Sequence, residues 1–351
     1  MSDRRASAPL LIGCLLIVAI GVALLAYWPA DDDDRTTGVV RETSLPTSAP
    51  LDLADSGPER SVQLLEASRS DETLLFGLWI RPEDDSGQPA EVSAWADREA
   101  KAGRTLDIGH SFYAWDKVFP TWREEFHRDA GRIPLISWNG TFADAVADGG
   151  QDALIAARAR GVKELGTRIM LRWFWEMDGN NKADWAQSPE NYIAAWRHIH
   201  DIFQSEGATN VEWVWCPNAW QWDANNNAEW YPGDDYVDWV CADGYNWAPE
   251  KAGADWESFE AIFSEFYDWA TTQTDKQIMI GEYGAQEREP GEKAQWILDS
   301  IITAEERFPE IDALVYYDED REERGHYDWR LDTSESAFDA FAEVAQITAH
   351  E

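Results

Sequence analysis

Glu176 and Glu282 each close an apolar run, Arg172-Trp173-Phe174-Trp175-Glu176 and Ile278-Met279-Ile280-Gly281-Glu282. A carboxyl at the end of such a run, beside aromatic rings, is poorly solvated, and its proton affinity can move far from that of a surface acid. Two such carboxyls across a glycosidic bond supply what its hydrolysis requires. One protonates the leaving oxygen, and the other attacks the anomeric carbon or activates water. The chain holds 67 acids, most of which must be solvated surface groups. The buried character of the flanking residues is what sets these two apart.

The elements that position them recur in rhythm. Eight short apolar runs follow one another: Leu74–Ile80, Thr105–Tyr113, Ile133–Trp138, Arg168–Trp175, Val211–Cys216, Trp239–Ala242, Gln277–Gly281 and Ala313–Tyr317. Several are continuous rather than alternating, as in strands covered on both faces. Amphipathic stretches separate them, clearest at Asp152–Leu165 and Pro189–Gln204, the second with Ser188 as N-cap and Pro189 at the first helical position. Trp256–Thr271, Glu292–Arg307 and Ser334–Gln346 follow the same pattern. The expectation is a (β/α)8 barrel. A doubly wound open sheet is the alternative, but Arg81-Pro82-Glu83-Asp84-Asp85 after the first run is unlike a phosphate-binding loop.

In such a barrel the working groups sit at the carboxyl ends of the strands. Those ends gather aromatics, carboxylates and amides, a composition suited to a carbohydrate cleft, where rings stack on sugar C–H faces and polar groups bind hydroxyls. His110 and Asn218 are candidates for binding hydroxyls, with structural roles as the alternative. Trp138, Trp185, Trp220, Trp222 and Trp247 are stacking candidates, although some of the 21 tryptophans must be core. Asp318, Glu319 and Asp320 read as solvated surface in preference to a Ca2+ site.

Five co-linear motifs within Leu74–Val344 resemble glycoside hydrolase family 26. Arg172-Trp-Phe-Trp-Glu-Met-Asp-Gly179 is similar to the family's acid/base strand, and Ile278-Met-Ile-Gly-Glu-Tyr-Gly284 to its nucleophile strand. Trp213–Asn218, Tyr231–Asp238 and Asp243–Asn246 are similar to its fifth- and sixth-strand regions. The resemblance implies a retaining hydrolase, endo-acting on a β-linked polysaccharide such as a β-mannan or β-glucan, with no cofactor. It implies Glu176 as general acid/base, Glu282 as nucleophile, Tyr245 bonded to the nucleophile, and Arg172 holding the acid/base strand. It also marks departures. Trp175 stands where mannan-cutting members carry His, Asp178 where they carry Asn, and Tyr316 where the last strand usually carries Trp. These changes fall around the sugar subsites, so the chemistry is better supported than mannan as substrate. A trimming hydrolase for the cell's own exopolysaccharide and a non-catalytic carbohydrate-binding barrel are the competing readings.

The remaining features concern where the protein works. With 29 Lys and Arg against 67 Asp and Glu, the formal charge is −38, which repels nucleic acid and suits a surface kept hydrated in strong salt. Arg4 and Arg5 precede an uncharged stretch from Ala8 to Trp28, and Asp31–Asp34 follow it. That pattern predicts residues 1–30 as a single-pass signal anchor with the bulk of the chain outside the cell. A cleaved signal and lipidation at Cys14 are the alternatives. Residues 31–70 read as an acidic, unstructured tether, and 71–351 as one hydrolase domain, expected to be monomeric. Cys216 and Cys241 lack metal-ligand spacing and read as two buried free thiols, with a bridge between neighbouring strands as the alternative.

Overall fold

The computed structural model describes residues 74–82, 87–179, 182–321 and 327–349. The expected membrane anchor, Cys14 and the acidic tether all lie outside the described residues. Among the described residues, no helix is long and apolar enough to cross a membrane.

Eight parallel strands close into a barrel in sequence order, each hydrogen-bonded to the next and the last to the first. They are β1 Leu75–Ile80, β2 Ile108–Ala114, β3 Ile133–Asn139, β4 Ile169–Trp173, β5 Val211–Trp215, β6 Trp239–Asn246, β7 Gln277–Ala285 and β8 Ile311–Asp318. The helices are α1 Gln88–Ala102, α2 Trp122–Asp129, α3 Ala143–Ala147, α4 Asp152–Leu165, α5 Ala183–Ala186, α6 Pro189–Glu206, α7 Phe259–Gln273, α8 Glu292–Glu306 and α9 Glu335–Ile347. Local chemistry fixes where they start. Thr121 and Glu124 form a capping box on α2, and Ser188, Ser258 and Ser334 accept the first-turn amides of α6, α7 and α9.

Side chains alternate between two cores along each strand. Ile108, Leu135, Met170, Val214, Trp239, Met279, Ala313 and Val315 fill the barrel interior. Their strand neighbours point outward, into the larger core under the helices. This alternation corrects two expectations, and burial in a loop corrects a third. Trp138 lies three residues beyond the inward Leu135 and therefore faces outward, stacked on Trp115 with ring centroids 4.0 Å apart. Tyr316 follows the inward Val315 and packs on Tyr283 in the outer core, so Tyr317 is the residue of β8 that faces inward. Trp222 is buried among Trp215, Phe266 and Trp269. None of these three can stack on a sugar.

The cysteines also differ from expectation. Trp215 of β5 pairs with Val240 of β6, so Cys216 and Cys241 come next to each other, and they form a disulfide. The Asp318–Glu319 pair is buried rather than solvated. Asp318 accepts from Arg98 at 2.6 Å and from the Leu331 amide at 2.8 Å.

Candidate active site

Arg172, on β4, organises the floor of the cleft. It points inward by the alternation that puts Met170 inside, and it is wholly buried. Its Nε donates to Ser137 at 2.7 Å, and its Nη1 donates to both carboxylate oxygens of Asp243 at 2.8 and 2.9 Å. Nη2 donates to Glu282 Oε1 and lies 3.3 Å from His110 Nε2. Burial opposes the Arg172 charge, but Asp243 and Glu282 outweigh it and raise its pKa. His110 is also buried, with Nε2 2.7 Å from Ser137 Oγ. Burial, then Arg172, holds its pKa well below the usual range, so it is a neutral imidazole supporting the arginine. Thus Arg172 holds the seventh-strand glutamate and β6, in addition to belonging to β4.

Glu282 reaches the interior through a backbone irregularity. Simple alternation from the inward Met279 would put Gly281 inside and Glu282 outside. The β6–β7 register instead skips Gly281, pairing Ala242 with Ile280 and Asp243 with Glu282. This bulge turns two consecutive residues inward. The bulged position must be glycine, because a Cβ there would lie 2.4 Å from Cys241 Sγ and 2.9 Å from Asp243 Oδ1. Glu282 then accepts from Arg172 at Oε1 and from the Tyr245 hydroxyl at Oε2, the latter at 2.5 Å.

Glu176 lies beyond β4, where the chain departs from strand geometry. Phe174 and Glu176 have φ of 50° and 52°, an uncommon region for residues with a Cβ. The bend is held by Phe174 N donating to Trp138 O at 3.0 Å and Glu176 N donating to Cys216 O at 2.8 Å. Lys182 Nζ lies 2.8 Å from Glu176 Oε2. Asp178, two residues on, accepts from the backbone and side-chain amides of Asn218 at 3.0 and 3.2 Å. Burial pushes the Asp178 carboxyl up to about 6, against those hydrogen bonds. The Asn218 amide group is therefore engaged with Asp178. Asp243 is pushed well above the usual carboxylate range by burial, against Arg172, with Glu282 and Glu176 adding to the rise.

Aromatic rings bridge the mouth of the barrel. Trp175 meets Phe112 edge-on at 5.1 Å, Phe112 meets Trp79 at 4.9 Å and Tyr317 at 6.3 Å, and Tyr317 meets Tyr245 at 5.6 Å. Tyr245 packs on Trp329 at 4.7 Å, and Trp247 packs on both. Trp79, Phe112, Trp175 and Trp247 are only half-buried. Glu319 ties this wall together, accepting from Trp79 Nε1 at 2.8 Å, Arg81 Nη1 at 3.0 Å and the Tyr317 hydroxyl. Buried Lys293 pins the loop carrying Trp329, donating to the carbonyls of Asp328 and Arg330, and burial lowers its pKa to about 8. A hollow of about 290 Å³ adjoins this wall, bordered by Asn218, Trp220, Tyr245 and Trp247. Trp185 sits apart from these rings on α5, half-buried, 6.4 Å from Phe142.

The site therefore unites Glu176, Glu282, Arg172, His110, Trp175, Asn218, Tyr245 and Trp247 from the expected set, and leaves out Trp138, Trp185, Trp222 and Tyr316. Sequence reasoning passed over Trp79, Phe112, Ser137, Lys182, Asp243, Tyr317, Glu319 and Trp329 as site residues. Strand alternation would have found Phe112, Ser137, Asp243 and Tyr317. Nothing local marks Lys182 or Trp329, which arrive on loops.

Residues 150–266 match the model of glycosyl hydrolase family 26, a stretch that includes Glu176 and ends before Glu282. Endoglucanase H of Acetivibrio thermocellus is 34% identical over 291 residues, 77% of this chain and 30% of the endoglucanase. The chain is a relative of family 26. Solved structures agree in fold. The family 26 β-mannanase of Bacteroides ovatus superposes with a TM-score of 0.57 at 17% identity, over 82% of this chain and 92% of that one. The family 26 endo-β-1,4-mannanase catalytic domain of Bacillus sp. JAMB-750 gives 0.58 at 17% identity, over 81% and 88%. The chain spans less than a third of the length of the endoglucanase. Within the barrel, Trp175 takes cations on its ring, with Arg172 5.4 Å and Lys182 4.1 Å from the centroid.

Proposed function

We propose that this barrel is a retaining endo-β-glycanase. Glu282 attacks the anomeric carbon, and Glu176 protonates the departing oxygen and then activates the water that releases the product. The observation that carries this reading is the double restraint on Glu282, with Arg172 at one oxygen and Tyr245 at the other. The two donors fix the orientation of the carboxylate that would attack, as a nucleophile in a near-attack position needs. The half-buried rings of Trp79, Phe112 and Trp247 offer faces for a sugar chain across the cleft.

A β-glucan is the favoured substrate, with β-mannan second. Two points support that order: the endoglucanase similarity, and Trp175 where mannan-cutting members carry His. The protein works outside the cell, held by the 1–30 segment, in a salt-rich medium to which its −38 charge is suited. Proton NMR of a short β-glucan digest tests the mechanism. The β-anomer must appear first, and the Glu282→Ala variant must release no reducing sugar while still binding the polysaccharide. Initial release of the α-anomer would rule out retention.

A further inference from the structure

Lys182 stands immediately before α5, and its ammonium has three partners. It lies 2.8 Å from Glu176 Oε2, donates to the Trp175 carbonyl at 3.2 Å, and sits 4.1 Å from the centroid of the Trp175 ring. The Lys182 and Glu176 side chains are only 16% and 12% exposed, so solvent screens the pair weakly. A cation so placed favours the carboxylate form of Glu176. A proton donor needs the opposite form when the glycosidic bond breaks. Among the described residues, Arg172 from β4, Asp178 just downstream and Asp243 from β6 also act electrostatically on Glu176. Arg172 is locked between Asp243 and Glu282 in the barrel floor. Lys182 sits in the turn before α5, over the Trp175 ring, and a sugar stacked on that face would need its place. Ammonium and sugar cannot occupy that face together.

We propose that Lys182 gates the acid/base. In the free protein it holds Glu176 ionised against Trp175. An arriving sugar takes the indole face, displaces the ammonium into solvent, and lets Glu176 take up a proton from bulk hydronium, which leaves as water. That proton then passes to the glycosidic oxygen as its bond to the anomeric carbon breaks. The gate rests on Glu176 being the acid/base. Lys182 acts through Glu176 and is a positioning residue.

Two measurements on the full-length protein test the gate. The first is a carboxyl-carbon NMR titration of δ-13C-glutamate-labelled protein without substrate, with Glu176→Gln identifying the resonance. Lys182→Met should raise the Glu176 midpoint by about one pH unit, and Lys182→Arg should restore it. An unmoved midpoint overturns the gate. The second is the pH profile on a soluble mixed-linkage β-glucan. Lys182→Met should move the alkaline limb of kcat/KM upward and leave that of kcat in place, because the ammonium is already displaced in the complex. Limbs that shift together would mean that Lys182 stays put, and would overturn the displacement. Failure of the underlying reading looks different. If Glu176→Ala is as impaired on a dinitrophenyl β-glycoside as on the polysaccharide, Glu176 is not the acid/base, whatever the NMR titration gives.

Discussion

Arg172 Nη1 meets both oxygens of Asp243, at 2.8 and 2.9 Å, and neither side chain has any exposure. The pair joins β4 to β6 beneath the cleft, and the same guanidinium reaches Glu282 on β7. Removing one member of a buried pair leaves the other charge uncompensated, at a cost of about 3–5 kcal/mol. Asp243→Ala should therefore lower stability by about that amount in chemical denaturation and reduce kcat through misplacement of Glu282. Unchanged stability would mean that Glu282 alone suffices for Arg172.

Cleft and core aromatics should separate under mutation. Trp247→Ala should raise KM severalfold on a soluble β-glucan with little loss of stability, because this half-buried ring faces the cleft. Trp138→Ala should cost about 3–5 kcal/mol of stability, as for other buried large side chains, with KM nearly unchanged. The two variants compared by steady-state kinetics and thermal unfolding decide the assignment, and the reverse pattern would overturn it.

The barrel rhythm was legible because fully buried strands are written as apolar runs, and all eight were visible between Leu74 and Tyr317. The side of each strand that faces the cleft was legible too, but only by counting. Val315 and Leu135 face inward, so Tyr316 and Trp138 must face outward. Motif similarity placed Tyr316 in the site against that parity. Glu282 is the reverse case. Parity alone would have sent it outward, and only the skipped partner at Gly281 brings it in. A bulge depends on pairing between two strands, which no single segment encodes. Cys216 and Cys241 depend on register in the same way, whereas Lys182 meets Glu176 through a local turn six residues long, which carries no periodic signal.

The Cys216–Cys241 disulfide spans a sequence separation of 25, for which restriction of the unfolded chain contributes about 3 kcal/mol. The double Cys216→Ala, Cys241→Ala variant should be less stable by roughly that amount. In the wild type, thiol titration in denaturant without reductant should find neither barrel cysteine reactive. Reactive thiols at both positions would return the pair to free cysteines. Gly281→Ala tests the same packing from the other side, because its Cβ would press on Cys241 Sγ and Asp243, and it should lower both stability and kcat.

Asp178 makes a pH-dependent prediction. Burial outweighs the Asn218 amides and sets its pKa at about 6 in the folded protein, against about 3.9 for an unfolded aspartate. Between those values the folded state holds more protons than the unfolded state, so the Asp178 contribution falls as pH rises. Its cost is absent below about pH 4 and complete above about pH 6, where it amounts to roughly 2–3 kcal/mol. An asparagine keeps an oxygen for the Asn218 amides without the buried charge, and it is the residue that family 26 carries there. Asp178→Asn should therefore stabilise the barrel at pH 7 and lose that advantage by pH 4, as read from denaturation midpoints across the range. A difference between variant and wild type that stays constant from pH 4 to pH 7 would show that Asp178 does not titrate in that window.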